Sequence, residues 1–182
     1  MTVVYIFIAD GFEEIEVMTI VDILRRADID TKLVSVDGYE VVGAHGVRVL
    51  ADIHIGVIDE DNMEMLVLPG GMPGTTNLEN SIELIELIER SNQSNTLIAA
   101  ICAAPMILGK LKLLEGKKAI CYPGFEKHLI GAKIVERKVI KDKNIITSRG
   151  PGTASDFAFK IVEVLKNKEI SNQLKEGMLY GR

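Results

Sequence analysis

Runs of consecutive apolar residues alternate along this chain with stretches whose apolar positions recur every three or four residues. Continuous apolar runs of four to eight residues read as strands buried on both faces, and the longer periodic stretches as amphipathic helices. The pattern predicts strands at Val3–Ala9, Lys32–Val36, Met65–Leu68, Thr96–Ile101 and Lys118–Cys121. It predicts helices at Glu13–Ala27, Ser81–Ser91, Pro105–Leu111, Thr153–Lys166 and Ile170–Glu176. Tyr39–Val42 and Val47–Ala51 flank Gly43-Ala44-His45-Gly46 and read as a hairpin; Lys133–Lys141 and Asn144–Thr147 read as another, turning at Asp142-Lys143. Strands alternating with helices imply an α/β fold with a mainly parallel sheet covered on both faces. In such a fold ligands bind beyond the carboxyl ends of the strands.

Three segments with chemical potential fall at those ends: Ala9-Asp10-Gly11, Pro69-Gly70-Gly71 and Cys102. Leu97-Ile-Ala-Ala-Ile-Cys102 runs from strand into a turn, and Pro105 suits the first turn of a helix. A cysteine there meets helix N–H groups whose field favours thiolate, the nucleophilic form. The competing reading is a small buried apolar residue. Glu13, Glu14 and Glu16 open the first helix, where acidic residues complement the dipole. Glu16 is set among Ile15, Val17, Met18, Ile20 and Val21, which forces its carboxyl inward. An inward carboxyl tends to hold its proton and can serve as a general acid/base. Gly70 and Gly71 supply either a positive-φ turn or backbone N–H groups facing an oxyanion. Cys121, beside Tyr122 at a strand end, either approaches the same pocket or is a buried strand cysteine. Asp22 with Arg25 or Arg26 reads as an ordinary helical ion pair. His54 belongs to no motif, and His128 is expected on a surface helix.

Composition narrows the class. The 182 residues suit one domain, and 47% apolar residues supply a core. A net charge of −5 without a basic tract argues against a nucleic-acid partner. The N-terminal apolar run is too short to span a membrane and has no basic leader, so no membrane association is expected. Two cysteines without a CxxC or metal-ligand spacing fit free thiols in a reducing cytoplasm and no metal site.

Ala-Ile-Cys-Ala at 100–103, Leu-Pro-Gly-Gly at 68–71, Gly-Phe-Glu-Glu-Ile-Glu at 11–16 and Thr-Ser-Arg-Gly-Pro-Gly-Thr at 147–153 together resemble the ThiJ/PfpI superfamily, in its deglycase and YajL-like branch. The resemblance covers essentially the whole chain, residues 1–182, as one domain. It implies a flavodoxin-like three-layer α/β/α sandwich, related to class I glutamine amidotransferases, that works as a homodimer in the cytoplasm without a cofactor. It implies Cys102 as the reactive cysteine and Glu16 as the carboxyl bonded to its sulfur. Gly70, Gly71 and Ala103 become the substrate and oxyanion contacts. It further implies defence against reactive carbonyls, with small aldehydes or glycated thiols and amines as substrates; the alternative is an oxidative-stress sensor or redox-regulated chaperone using the same cysteine. Two positions depart from relatives. The protease-like branch has a histidine directly after the nucleophile, where this chain has Ala103, so a peptidase dyad is missing. The deglycase branch often has a histidine where Tyr122 precedes Pro123. His45 falls where the family tends to carry an arginine near the dimer contact. Ile15, Met18 and Val21 on the first helix are the expected subunit contact.

Overall fold

A computed structural model describes residues 2–181. In chain order the elements are β1 (Val3–Ile8), α1 (Glu14–Arg26), β2 (Thr31–Ser35), β3 (Glu40–Val42), β4 (Arg48–Leu50), β5 (Ile53–His54), β6 (Met63–Leu68), α2 (Gly74–Asn80), α3 (Ile82–Gln93), β7 (Leu97–Ile101), α4 (Pro105–Lys110), β8 (Lys118–Ala119), β9 (Lys133–Ile134), β10 (Val139–Asp142), β11 (Ile145–Ser148), α5 (Ala154–Leu165) and α6 (Lys168–Gly177). The central sheet has seven strands in the order β10-β11-β7-β6-β1-β2-β5. Its pairings are parallel except the hairpin β10–β11. It is a flavodoxin-like α/β sandwich.

Strand alternation sorts the core into two layers. On β1, Val4, Ile6 and Ile8 face a layer with Val17, Ile20 and Leu24 of α1 and Phe157, Ile161 and Val162 of α5. Val3, Tyr5 and Phe7 face the opposite layer, with Leu84, Leu87 and Ile88 of α3 and Ile107 of α4. Both faces of every central strand are therefore buried, which is why these strands read as unbroken apolar runs.

Several expected boundaries move. Glu13 is not helical; it caps α1, its carboxylate accepting from the Ile15 N–H at 3.4 Å. The strand expected over Lys133–Lys141 divides. Lys133–Ile134 pairs in parallel with β8, and the hairpin with β11 is left to Val139–Asp142. The strand expected to reach Cys121 stops at Ala119. Two elements had no pattern to announce them. β5 has two residues, and α2 opens on Gly-Thr-Thr-Asn, poor helix formers without apolar periodicity. Val21 is a correction: it is buried against the core, whereas Ile15 (57% exposed) and Met18 (36%) face outward. Among the described residues no helix is long and apolar enough to cross a membrane.

Phe157 is fully buried where α5 packs on α1 and the sheet. Phe157→Ala is expected to cost about 3–5 kcal/mol of unfolding free energy, measured by urea denaturation.

Candidate active site

β1 has β2 on one side and β6 on the other, so the chain reverses its direction across the sheet at the β1–β6 boundary. The loops leaving the carboxyl ends of these strands form the crevice where doubly wound folds place their ligands. The loops after β7 and β11 join them from the neighbouring strands.

Cys102 follows β7 directly and has φ +65°, a left-handed conformation that costs a non-glycine residue roughly 1–2 kcal/mol. Two main-chain bonds hold it there. Its N–H donates to the Ser148 carbonyl at 3.1 Å, and its carbonyl accepts from the Tyr122 N–H at 2.7 Å. The side chain is only 9% exposed. Pro105 opens α4, as its position implied.

Glu16, in the first turn of α1, is fully buried. Its Oε2 accepts from the Gly70 N–H at 2.7 Å. Oε1 has no partner of standard hydrogen-bond geometry; the neighbouring carboxyl interaction is with the Cys102 thiol. Gly70 lets the three meet. A Cβ there would fall 2.5 Å from the Cys102 Cβ, 2.9 Å from Glu16 Oε2 and 3.0 Å from the sulfur.

Burial pushes the Glu16 carboxyl up to about 7. The Gly70 N–H and the thiol oppose that rise, and the charge of Glu13 adds to it. Burial, then the charge of an ionised Glu16 and its hydrogen bond, push the Cys102 thiol up to about 12, against the backbone N–H groups of Ala103 and Gly71. This corrects the expectation that the following helix alone would favour thiolate. α4 has six residues, and the Met106 and Ile107 N–H groups bond to the carbonyls of Ala103 and Ala104. The sulfur instead senses a carboxyl and two loop amides. The two titrations are coupled: a proton on Glu16 removes the charge that helps hold the thiol protonated.

The amides do not all serve as expected. The Gly70 N–H is engaged by Glu16, so Gly71 and Ala103 are the amides that address the sulfur. Tyr122 is half-exposed, its ring edge-on to Phe125 at 6.5 Å. It walls a cleft of about 230 Å³ with Pro123, Arg149, Gly150, Pro151, Gly152 and Thr153. Gly150 lies between that ring and the nucleophile: a Cβ there would stand 3.0 Å from Tyr122 Cδ2 and 4.0 Å from the sulfur.

Cys121 is not part of this site. It packs in the opposite core layer with Ala119 and Leu129 and lines a separate cavity of about 110 Å³. Burial and the charge of Glu126 push its thiol up to about 11. His45 sits exposed on the β3–β4 turn. Its Nδ1 lies 2.8 Å from Glu14 Oε2, and its N–H donates to Oε1 at 2.7 Å. That bond and the neighbouring charges raise the imidazole. Burial would raise Glu14, but the His45 bond and several backbone bonds bring it below the usual range. The turn also braces the loop after β1, through Gly11 N–H to Val42 and Ala44 N–H to Phe12. His54 accepts from the Gly56 N–H and caps a short 3-10 turn. His128 ends another 3-10 turn, Glu126–His128. Asp22 pairs with Arg26 at 2.6 Å along α1. Roles for Ser148 and Gly150 escaped residue-level reading, although the Thr147–Thr153 run marked the segment.

The DJ-1/PfpI family model matches residues 2–164. The dj-1beta protein of Drosophila melanogaster is 37% identical over 177 residues, covering 96% of this chain and 95% of its own. The glutathione-independent glyoxalase DJR-1.2 of Caenorhabditis elegans is 32% identical, covering 89% and 87%. The structure of oxidized Toxoplasma gondii DJ-1 superposes with a TM-score of 0.95 at 36% identity, covering 100% of both chains. With a family match across most of the chain and the same fold in its relatives, this chain belongs to the DJ-1/PfpI family.

Proposed function

We propose that this protein is a cysteine-dependent enzyme of reactive-carbonyl defence, converting methylglyoxal or glyoxal to the hydroxy acid without glutathione, or releasing the same adducts from thiols and amines. The observation that carries the reading is the buried Glu16 carboxyl beside Cys102, raised to about 7 so that it can both take and give a proton at neutral pH. A family member of 32% identity bearing the name glutathione-independent glyoxalase supports an enzymatic role.

As the Cys102 sulfur bonds to the aldehyde carbon, Glu16 accepts the thiol proton and the carbonyl oxygen becomes an oxyanion. The amides of Gly71 and Ala103 are the nearest donors to it. Glu16 hands the thiol proton to the oxyanion, giving a hemithioacetal. As a free carboxylate it then moves a proton from the first carbon to the second, while the hydroxyl proton of the first carbon passes to the oxygen of the second. The first carbon is oxidised to a thioester and the second reduced to an alcohol, so the electrons balance within the substrate. Water cleaves the thioester, releasing lactate and restoring the thiol. The proposed setting is cytoplasmic and the proposed assembly a homodimer, in which exposed Ile15 and Met18 of α1 meet a second copy.

A second reading is oxidation sensing by the same sulfur, favoured by the oxidized state named for the Toxoplasma gondii relative. Turnover separates the two.

Purified protein should produce lactate from methylglyoxal, and Cys102→Ser should produce none. Glu16→Gln keeps the shape but cannot exchange a proton, so turnover should fall about 100-fold or more, with the fold retained by circular dichroism. Casein and peptide amides should remain uncleaved; Cys102-dependent cleavage would overturn the reading.

Glu16 must be ionised to accept the thiol proton. The pH profile of kcat/KM should therefore rise through an inflection near 7, and Glu16→Gln should lose that inflection.

Light scattering at micromolar concentration should return twice the chain mass. Ile15→Glu, which places a charge on the exposed apolar face, should shift the mass toward one chain.

A further inference from the structure

The cleft beside Cys102 has room for more than the five heavy atoms of methylglyoxal. Its walls at Tyr122, Pro123 and Pro151 suit a carbon stem, and Arg149 is its cation. Four other arginines, Arg25, Arg26, Arg48 and Arg90, each pair with a carboxylate, and Arg137 lines a different cavity, beside Asp156 and Lys160. Among the described residues Arg149 enters no ion pair, although Glu126 and Glu136 line the smaller cavity that it also borders. Glu126 bonds instead to the Gly124 N–H at 2.7 Å.

The backbone around Arg149 is held firmly. Ser148 is fully buried, and its hydroxyl donates to the Lys138 carbonyl at 2.8 Å. Gly150 N–H donates to the Thr153 hydroxyl at 3.1 Å. Gly150, the next residue, abuts the sulfur. Arg149 thus lines a cleft whose Gly150 wall stands against the nucleophile. The surroundings are otherwise acidic, with Glu13, Glu14 and Glu16 on the α1 side and a net charge of −5. An anion reaching Cys102 needs a local cation, and a neutral aldehyde gains nothing from one. A guanidinium binds carboxylate or phosphate through paired hydrogen bonds.

We propose that Arg149 is the specificity-determining residue of this cleft and selects 2-oxoaldehydes that carry a carboxylate or phosphate beyond the reacting carbonyls. The substrate class rests on the carbonyl chemistry proposed above; the anion site itself does not.

Alkylation of Cys102 by anionic iodoacetate and by neutral iodoacetamide, followed by mass spectrometry, tests the site without turnover. Any change in thiol ionisation affects both reagents alike, so the rate ratio reports charge recognition. Arg149→Gln should lower the iodoacetate-to-iodoacetamide ratio about 3- to 10-fold, and Arg149→Lys should retain most of it. Lys175→Gln removes the same charge from α6, where Lys175 lies over the Phe159 ring, and should leave the ratio unchanged. With turnover, Arg149→Gln should raise KM for a phosphate-bearing 2-oxoaldehyde more than KM for methylglyoxal. An unchanged ratio in Arg149→Gln, or an equal fall in Lys175→Gln, overturns the proposal. A ratio that falls as expected in a protein without carbonyl turnover overturns the enzymatic reading and sustains the anion site.

Discussion

The hydrogen bond from the Gly70 N–H to the buried Glu16 carboxyl joins the parts of the site on which everything else depends. Glu16 comes from α1, Gly70 from the loop after β6, and Cys102 from the turn after β7. They can meet only because residue 70 has no side chain; a Cβ would overlap the nucleophile's own Cβ. A similar constraint acts one residue on, where Gly71 has φ +95° and a Cβ would collide with the backbone of Gly11, Phe12 and Glu13. The close approach of the loops after β1 and β6 is thus set by glycine, and it lets a carboxyl from one layer reach a thiol on the next strand.

That closeness has a thermodynamic consequence. Glu16 holds its proton more tightly folded, at about 7, than at its ordinary 4.5. The native state therefore binds more protons than the unfolded chain between those values. Relative to the unfolded chain, ionising Glu16 in the fold costs roughly 3 kcal/mol; stability is therefore highest below 4.5 and falls by that amount as pH rises through about 7. A carboxylate chosen only for stability would be solvated or paired with a cation. Glu16 has one amide and a thiol instead. The strained backbone at Cys102 adds a second local cost. Both fall on the same two residues, whose titrations are coupled.

The layers of the fold were legible because burial on both faces leaves a direct trace in strand composition: the runs at β1, β6 and β7 needed no periodicity to be recognised. Cys102 was legible from the abrupt change between apolar run and Pro105, and Glu16 from its apolar neighbours. What the sequence could not carry was direction. Whether the Gly70 N–H faces a substrate or a carboxyl depends on the approach of α1, 54 residues away in sequence. Whether Cys121 faces the site depends on where β8 ends, and its early end at Ala119 leaves the thiol in the other layer. Val21 shows the same limit: apolar residues around a helix do not say which of them the second helix, α5, will cover.

The reaction class turns on which groups can move protons near the sulfur. Each histidine is engaged elsewhere. His45 is bonded to Glu14, His54 caps a turn, and His128 packs on the Phe125 ring. The position after the nucleophile is Ala103, and the residue before Pro123 is tyrosine in place of an imidazole. Amide hydrolysis must expel an amine and needs an acid positioned to protonate it. Rearrangement of a 2-oxoaldehyde expels nothing; it needs one group to carry a proton between adjacent carbons. Glu16, poised near 7 and within reach of the sulfur, meets that smaller demand alone. Under the proposed carbonyl chemistry, the single carboxyl that the glycines admit to the site is the one proton carrier the rearrangement requires, whereas amide hydrolysis would require a further acid.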